Sequence, residues 1–385
     1  MEQQNQNLVF RIGPIRPPSE ANSLLIQVTQ GCTWNKCKFC ELYNQTKFRA
    51  FSADSIKHDI DVIAHYAERA KQFIASDGSL DRQAINKEFS SMESDERNCF
   101  YMVLNWLLHG GQTVFLQDGN TLALQDGRLV DVLTYLKKTF PQITRITSYG
   151  RAESLSRFSE EDYVELHEAG LTRIHSGFET GSDKVLQFIN KGVTSQQQIQ
   201  AGKNIKAAGI EFSVYFMPGV GGRALSQENA LGMARVVSEI DPDFVRIRTA
   251  ALKQGTELYE DCMAGKFEMC SDDEKVLEIQ TLIEQSHCNN TLIASDHIIN
   301  LLPDIMGSLK TEKDTMLNVI QEYFALSDLD RKIYQLMRRH NAAERVSDMK
   351  KLSEADRRRL EQICNEVKSD EEWAKQMNGL LSRYV

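Results

Sequence analysis

Short apolar runs alternate with longer amphipathic segments from about residue 23 to about residue 262. The apolar runs predict six strands, at residues 24–28, 113–116, 145–148, 173–178, 212–217 and 244–249. The segments between them predict helices, at 129–139, 160–169, 196–208 and 227–240 among others, and the first helix begins after a candidate N-cap, Ser52. Short apolar strands that are each followed by a helix pair in parallel. The pattern therefore predicts an α/β fold, a partial (β/α)6 TIM-like barrel, over residues 23–262.

The pattern changes on either side of this barrel. Residues 1–22 form an N-terminal extension, and residues 76–109 insert a mostly polar segment with an amphipathic helix near 99–108, which we interpret as a lid or packing arm. After residue 262 the strand pattern stops, and helices are predicted at 274–286, 294–306, 311–324, 328–339 and 353–367. Residues 263–385 are thus expected to form a helical C-terminal region. Its last part, from about Asn341, is charged; an exposed arm or partner surface is one interpretation, and a solvated helix is the commoner one.

Length and charge narrow the class of protein. A chain of 385 residues exceeds one ordinary core, so a barrel of about 200–250 residues with an appendage is the natural division. Its 45 basic and 54 acidic residues give a net charge of −9, which argues against a broad nucleic-acid-binding face. Residues 1–7 are polar, and no apolar run approaches the ~20 residues that cross a bilayer. We expect a cytoplasmic protein that binds neither membranes nor nucleic acid.

Three cysteines carry the candidate chemistry. Cys32, Cys37 and Cys40 stand in a C-x4-C-x2-C run, and three thiolates can hold three irons of a [4Fe–4S] cluster while the fourth iron stays open to another ligand. A closed zinc site needs a fourth ligand, and the next candidates are His58 and His65, seven residues apart on a predicted helix. A disulfide fits poorly with an odd number of thiols. The iron–sulfur interpretation is favoured, and zinc is the alternative.

Two further motifs accompany the cysteines. His175-Ser-Gly-Phe-Glu-Thr-Gly-Ser182 lies on the fourth predicted strand, and Ile189-Asn-Lys-Gly192 follows it. Together with the cysteine run, over roughly residues 16 to 260, they resemble the radical S-adenosylmethionine (radical SAM) superfamily. The chain looks most like the branch of the elongator catalytic subunit, the oxygen-independent coproporphyrinogen oxidases and the methylthiotransferases, and Arg16-Pro-Pro-Ser-Glu-Ala21 resembles an uncharacterised subgroup. Its first cysteine gap has one residue more than the usual C-x3-C-x2-C.

The resemblance implies a reaction and its cofactors. S-adenosylmethionine would chelate the open iron of the [4Fe–4S] cluster, and one electron would cleave it to methionine and a 5′-deoxyadenosyl radical that abstracts hydrogen. The expected protein is a metal-binding oxidoreductase or transferase that acts on an unidentified small molecule. A flavodoxin- or ferredoxin-type protein would supply the electron.

The resemblance also implies contacts to S-adenosylmethionine. Aromatic and turn residues would flank the adenine, strand-end polar groups would hold the amino group, ribose and carboxylate, and a glycine would allow close backbone approach. Phe39 and Met217 would lie at the adenine, and Gln117 or Asp118 at the amino group, with Gly119 allowing the close approach. Ser148 and Arg151 would serve the ribose and the carboxylate, Glu179 the ribose hydroxyls, and Lys191 the carboxylate. Simple loop packing at Phe39, an ordinary turn at 118–119 and a surface lysine at 191 are the structural alternatives.

Candidate substrate residues follow the later strands. Arg246 and Arg248 alternate along the sixth strand, which suggests an anionic substrate or the cofactor carboxylate; pairing with barrel carboxylates is the alternative. His175 is a candidate catalytic group or a core histidine. Asp296 and Asn300, with His297 between them, are expected either to begin a helix or to form part of a substrate roof.

Other functions compete with this prediction. A radical methyltransferase or methylthiotransferase is disfavoured, because the sequence shows no second cysteine cluster, cobalamin module or basic nucleic-acid appendage. A non-catalytic iron–sulfur sensor and a zinc-stabilised interaction module are the alternatives from other classes. The pattern around Glu179 and Lys191 favours the enzyme, since a sensor has no need of S-adenosylmethionine contacts.

Overall fold

The computed structural model describes residues 8–75, 77–124 and 127–384. The polar N-terminus predicted at 1–7 and the first residue of the predicted insertion, Ser76, lie outside the described residues. The chain divides into two compact units. Unit 1 comprises residues 1–33, 45–175 and 207–211, and unit 2 comprises residues 34–44, 176–206 and 212–385.

The barrel region alternates strands and helices as the sequence predicts. Its elements are β1 (Leu24–Gln27), β2 (Thr29–Gln30), β3 (Arg49–Ala50), α1 (Ala53–Lys71), α2 (Arg82–Ser90), α3 (Ser94–Leu108), β4 (Thr113–Gln117), α4 (Arg128–Thr139), β5 (Arg145–Tyr149), α5 (Ala152–Leu155), α6 (Glu160–Glu168), β6 (Arg173–Glu179), α7 (Asp183–Phe188), α8 (Ser195–Ala207), β7 (Glu211–Phe216), α9 (Ser226–Ile240) and β8 (Phe244–Ile247).

Parallel pairing dominates in each unit. In unit 1, β1 pairs with β4, β4 with β5, and β5 with the first part of β6, all in parallel. In unit 2, β7 pairs in parallel with β8. The strands are almost entirely buried, which fits strands that are covered on both faces. The predicted α/β fold with consecutive parallel β/α units is confirmed.

Local sequence signals explain where the elements begin. The Ser52 hydroxyl accepts a hydrogen bond from the Ser55 amide and caps α1, as predicted. Ile56, Ile60 and Ile63 form its buried face. The insertion contains two helices rather than one, since α2 precedes α3. It packs on α1, where the rings of Tyr66 and Phe100 lie 5.6 Å apart, and so behaves as a packing arm.

The region after residue 262 corrects the prediction in one place. Helix α10 (Glu257–Met263) crosses the predicted boundary, and the elements after it are α11 (Asp272–Gln285), β9 (Leu292–Ala294), β10 (Met306–Ser308), α12 (Lys313–Phe324), α13 (Asp328–Arg339), α14 (Glu354–Glu366) and α15 (Asp370–Leu381). The helix predicted at 294–306 is wrong: β9 pairs in parallel with β8, and β10 pairs antiparallel with β9. The region is otherwise helical, and α15 buries Trp373 and Met377, so the last part is not an exposed arm.

No described helix combines the length and the apolar character that a bilayer span requires.

Candidate functional site

The chain segments before and after the cysteine run lie side by side. In unit 1, β2 and β3 pair antiparallel, with Thr29 opposite Ala50 and Gln30 opposite Arg49. Gly31 follows with φ +79°, and a Cβ there would lie 3.3 Å from the Lys47 carbonyl oxygen. Only glycine fits this close approach at positive φ without strain. Its amide donates to Asp118 Oδ2 at 3.4 Å.

The three cysteines of the motif are half-buried and form no disulfide in the described residues. Cys32 belongs to unit 1, and Cys37 and Cys40 belong to unit 2, where the Cys40 amide donates to the Cys37 carbonyl at 3.1 Å. Within the described ranges no three His, Cys, Asp or Glu side chains are arranged to hold a single metal ion. A [4Fe–4S] cluster makes a different demand, since each thiolate binds its own iron. Three reduced, partly accessible thiols are a donor set of the right chemistry.

The segment 189–192 fastens the chain around Cys37 within unit 2. The Lys38 amide donates to the Ile189 carbonyl at 3.0 Å, and the Trp34 indole donates to the Asn190 carbonyl at 2.7 Å. The Asn190 side chain donates in turn to the Lys36 carbonyl at 2.9 Å. These bonds give the Asn-Lys-Gly motif a physical role, because its backbone and asparagine order the cysteine segment.

Lys38 adds an ionic connection in the same unit. Its ammonium donates to Asp261 Oδ2 at 2.7 Å and lies 3.0 Å from a Glu257 oxygen. The hydrogen bond to Asp261 raises the pKa of Lys38, with Glu257 adding to the effect. The Leu258 amide donates to the Lys38 carbonyl at 2.8 Å. The cysteine segment is therefore bonded to both α10 and the 189–192 segment.

Glu179 and Lys191 form a nearly buried ion pair beside an aromatic ring. The Lys191 ammonium donates to Glu179 Oε1 at 2.9 Å, with both side chains about a tenth exposed. The same ammonium lies 5.4 Å from the centre of the Phe39 ring. Glu179 has φ +64°, and a Cβ at Gly177 would lie 2.4 Å from its Oε1. An acid, a base and an aromatic face thus meet at the carboxyl end of β6.

Met217 is joined to the Glu179–Lys191 pair by a backbone hydrogen bond. Its amide donates to the Glu179 carbonyl at 2.8 Å, which ties the end of β7 to the end of β6. Its side chain belongs to an apolar cluster with Val185, Ile189 and Val220, and Phe39 packs against that cluster. Four of the predicted cofactor contacts, Phe39, Glu179, Lys191 and Met217, are therefore brought together in unit 2.

The other predicted cofactor contacts belong to unit 1. The side-chain amide of Gln117 bonds to the backbone of residues 13–15. Its Oε1 accepts from the Gly13 amide at 2.8 Å, and its Nε2 donates to the Gly13 and Ile15 carbonyls at 3.0 and 2.6 Å. Asp118 is fully buried, and its amide donates to the Thr29 hydroxyl at 3.4 Å. Gly119 follows Asp118 directly.

Asn120 is a buried residue of unit 1 that the sequence did not single out. Its Nδ2 donates to the Thr33 and Ser154 hydroxyls at 2.9 and 2.8 Å, and its Oδ1 accepts from the Arg151 amide at 2.9 Å. Arg151 also reaches the Thr33 hydroxyl at 3.4 Å, one residue after Cys32. Ser148 is buried and donates to the Leu116 carbonyl at 3.5 Å. Asn120 stands after the second predicted strand, so its position at a strand end was the available signal.

The candidate substrate residues separate into different environments. Arg246 is buried and paired with Asp296, which is the structural alternative stated for it. Arg248 is exposed, and no hydrogen bond or ion pair to another described residue is found for its side chain. Burial, with the nearby Arg248 charge, lowers the pKa of His297 to about 4, so this imidazole is neutral at pH 7. His175, in unit 1, is fully buried and its ring lies 5.9 Å from that of Tyr149.

Residues 295–300 do not begin a helix, which corrects that prediction. Asn300 Oδ1 instead accepts from the amide and hydroxyl of Thr249, at 3.1 and 2.9 Å, and its Nδ2 donates to the Ile247 carbonyl at 2.7 Å. The loop that carries Asp296 and His297 is thereby fixed to the carboxyl end of β8.

The amino-acid sequence matches a family model, that of the radical SAM superfamily, over residues 26–233, which is more than half of the chain. The chain belongs to the radical SAM superfamily. It is therefore an enzyme of S-adenosylmethionine-dependent radical chemistry, and its cofactors are a [4Fe–4S] cluster and S-adenosylmethionine.

Several relatives share part of this radical SAM chain. A tRNA uridine(34) acetyltransferase of Methanocaldococcus jannaschii is 23% identical over 183 residues, covering 47% of this chain and 31% of that protein. An uncharacterized methyltransferase of Pyrococcus horikoshii is 25% identical over 180 residues, covering 47% of this chain and 38% of that protein. The chain thus spans about a third of the length of each of these relatives.

The solved structures that resemble this chain have lower sequence identity to it. The Elp3 protein of Methanocaldococcus infernus has 20% sequence identity and a TM-score of 0.38, covering 47% of this chain and 46% of that chain. The cobalamin-dependent enzyme OxsB has 14% identity and a TM-score of 0.46, covering 93% of this chain and 58% of that chain.

Proposed function

We propose that this radical SAM enzyme holds its [4Fe–4S] cluster through Cys32, Cys37 and Cys40 and uses it to cleave S-adenosylmethionine reductively. When bound, the cluster supplies one electron to S-adenosylmethionine, which yields methionine and a 5′-deoxyadenosyl radical that takes a hydrogen atom from the substrate. The observation that carries the proposal is the three-thiol run inside a family match that also contains the Glu179–Lys191 pair. Three protein thiolates leave one iron for the nucleotide.

Glu179, Lys191 and Phe39 are proposed to bind S-adenosylmethionine. The ligand is a zwitterion with a carboxylate, a ribose and an adenine. An ammonium suits its carboxylate, and a carboxylate accepts hydrogen bonds from ribose hydroxyls. Lys191 and Glu179 provide both groups 2.9 Å apart, and the Phe39 ring and Met217 form the apolar surface beside them. Binding would replace their mutual ion pair by contacts to the ligand.

An anionic small molecule is the proposed substrate class. Arg246 is neutralised by Asp296, so the charge that the sequence assigned to two arginines is available only at Arg248. Arg248 follows β8 directly, and active sites of (β/α) barrels lie at the carboxyl ends of the strands. The neutral His297 imidazole near it can donate or accept a hydrogen bond without adding charge.

The remaining partners follow from the chemistry. A flavodoxin- or ferredoxin-type protein is proposed as the electron donor, because the reaction needs one low-potential electron. The acetyltransferase relatives bear tRNA in their names, but the match covers less than half of this chain, and its net charge is −9. A small-molecule substrate is therefore proposed in preference to nucleic acid.

Anaerobic reconstitution tests the proposal. The chain is loaded with iron and sulfide, its visible charge-transfer absorbance is recorded, and 5′-deoxyadenosine is assayed after reduction with S-adenosylmethionine. We expect slow release of 5′-deoxyadenosine from the wild type and none from Cys32→Ala, Cys37→Ala or Cys40→Ala. Cys364→Ala, outside the motif, is the matched control and should behave as the wild type. Stoichiometric zinc without iron–sulfur absorbance would reject the proposal in favour of the zinc module, and a stable cluster with no response to S-adenosylmethionine would favour the sensor.

A further inference from the structure

A buried carboxylate of α11 collects donors from four directions. Glu278 is 2% exposed. Its Oε2 accepts from the Gly219 amide at 3.0 Å and from Asn229 Nδ2 at 2.6 Å. Its Oε1 accepts from the Ser226 hydroxyl at 2.7 Å and faces the Cys270 thiol at 3.6 Å. A buried carboxyl group is costly unless hydrogen bonds compensate for the lost water, and here both oxygens are compensated.

Two of the partners of Glu278 connect it to one turn, residues 217–222 after β7: Gly219 lies in the turn, and Asn229 bonds to its first residue. Asn229 Nδ2 also donates to the Met217 carbonyl at 3.2 Å, so Asn229 and Glu278 hold the turn at two points. Gly219 has φ +85°, and a Cβ there would lie 3.0 Å from Lys275 Cε. The turn is therefore pressed against α11 and fixed by α9 and α11 together.

This turn is continuous with the proposed S-adenosylmethionine contacts. The Met217 amide donates to the Glu179 carbonyl at 2.8 Å, and Glu179 pairs with Lys191 at 2.9 Å. A shift of the turn would move Met217 and, through the backbone bond, the end of β6 on which Glu179 stands. Glu278 itself lies outside the residues 26–233 that match the family model.

We propose that Glu278 is a positioning residue for S-adenosylmethionine: from α11 it fixes the 217–222 turn, and thereby Met217 and Glu179, in the geometry that binds the nucleotide. The inference rests on the function proposed above. It gives the helical C-terminal region a role in cofactor binding.

The bonding pattern predicts which substitutions preserve the anchor. Glu278 Oε2 accepts both the hydrogen bond from the Gly219 amide and the one from Asn229 Nδ2. Oε1 faces the Ser226 hydroxyl, which can either donate or accept. A glutamine can keep its carbonyl oxygen on the two N–H groups and donate its NH2 to Ser226. An alanine removes the acceptor, so the buried Gly219 amide loses its partner and Asn229 Nδ2 keeps, of its two bonds, only the one to the Met217 carbonyl.

The test uses the full chain with Glu278→Ala and Glu278→Gln. Glu284→Ala, an exposed position in the last turn of the same helix, is the matched control. Hydrogen–deuterium exchange of the peptide covering 217–222 is measured without S-adenosylmethionine. Equilibrium dialysis then gives the S-adenosylmethionine affinity of the reconstituted proteins, and their iron content is recorded.

In Glu278→Ala we expect exchange in the turn to be about tenfold faster and S-adenosylmethionine binding about tenfold weaker, at unchanged iron content. Glu278→Gln and Glu284→Ala should lie close to the wild type. If Glu278→Ala does not fold, Asn229→Ala, which keeps Glu278, should show the same two changes.

Wild-type exchange and affinity in the variant that folds would overturn the inference. Equal effects of alanine and glutamine, with faster exchange throughout residues 212–285, would also overturn it and assign Glu278 a general stabilising role. A wild-type protein with a cluster but no affinity for S-adenosylmethionine would refute the proposed function itself, and the inference with it.

Discussion

Two glycines exclude larger side chains from the surroundings of the Glu179–Lys191 pair. At Gly192, with φ +67°, a Cβ would lie 2.6 Å from the Trp34 ring, and at Gly177 it would lie 2.4 Å from Glu179 Oε1. The sequence motif assigned Glu179 and Lys191 to different groups of one nucleotide, and the structure pairs the two side chains with each other. It did not predict the reason for the glycines, because close approach between side chains is a tertiary property.

The substitution Gly177→Ala tests this packing. The added methyl group should displace the Glu179 carboxylate and weaken S-adenosylmethionine binding about tenfold, while the cysteines keep their iron. Equilibrium dialysis and iron analysis measure the two effects. Gly379→Ala is the control, since nothing lies within 4 Å of a Cβ at this position in α15 and alanine favours a helix. Equal affinities of the two variants would show that the carboxylate tolerates displacement.

The same limit applies to the polar residues that the sequence missed. Asn120 and Glu278 carry dense hydrogen-bond networks, yet an asparagine after a strand or a glutamate in a helix has an ordinary pattern. Their partners, such as Ser154 and Gly219, are 34 and 59 residues away in the chain. Only the folded backbone brings these groups together.

At the scale of elements, the strands of the barrel were predictable and the segment 294–306 was not. The strands are short apolar runs between helices, and β4 and β5 begin at the predicted residues. The apolar residues after 292 fit a helical spacing equally well. Ile293 and Ala294 instead pair with β8, so the neighbouring strand decided the conformation.

Arg338 stabilises the irregular loop that replaces the predicted helix. This buried side chain of α13 donates to the carbonyls of Ile298, Asn300 and Leu301 at 3.3, 3.0 and 3.3 Å, and to that of Ala343 at 3.2 Å. The carbonyls of an irregular loop lack the regular N–H partners of a helix, and buried carbonyls without hydrogen bonds are costly. The Arg338 guanidinium thus supplies the loop carbonyls with hydrogen-bond donors that backbone N–H groups would supply in a helix.

The substitution Arg338→Met should therefore lower the free energy of unfolding by about 3 kcal/mol, since several buried carbonyls lose their donor at once. Urea denaturation measures the change. Arg359→Met, at an exposed position of α14, should change stability by less than about 0.5 kcal/mol. A similar small change at Arg338 would mean that other donors replace its guanidinium.

At the scale of the whole molecule, the two compact units do not follow the boundary near residue 262 that the sequence predicted between a barrel region and a helical C-terminal region. The sequence also did not predict the buried charges that lie after residue 262. Asp272 and Arg339 form an ion pair at 2.7 Å with both side chains about 2% exposed, and Lys275 donates to Asn378 at 2.7 Å. Helical periodicity counts charged residues as surface. These groups are buried because α11, α13 and α15 supply partners to one another.

Glu278 is a further buried charged residue of α11, and its titration makes the free energy of unfolding depend on pH. Burial raises its pKa from 4.5 to about 7. The folded chain therefore binds a proton between pH 4.5 and about 7 that the unfolded chain has lost, so the stability contributed by this group is full below pH 4.5 and falls as pH rises towards 7. The shift corresponds to about 3 kcal/mol.

Comparison of the wild type with Glu278→Gln isolates this contribution, because the amide does not titrate and all other groups are shared. The free energy of unfolding of the wild type, relative to that of the variant, should be highest near pH 4.5. This difference should fall by about 3 kcal/mol by pH 8. Urea denaturation across this range measures the difference. A difference that stays constant, or that grows with pH, would mean that the four donors around the carboxylate outweigh its burial and keep it ionised. Since ionisation leaves Oε2 on Gly219 and Asn229 in both states, S-adenosylmethionine affinity should change little through the same range.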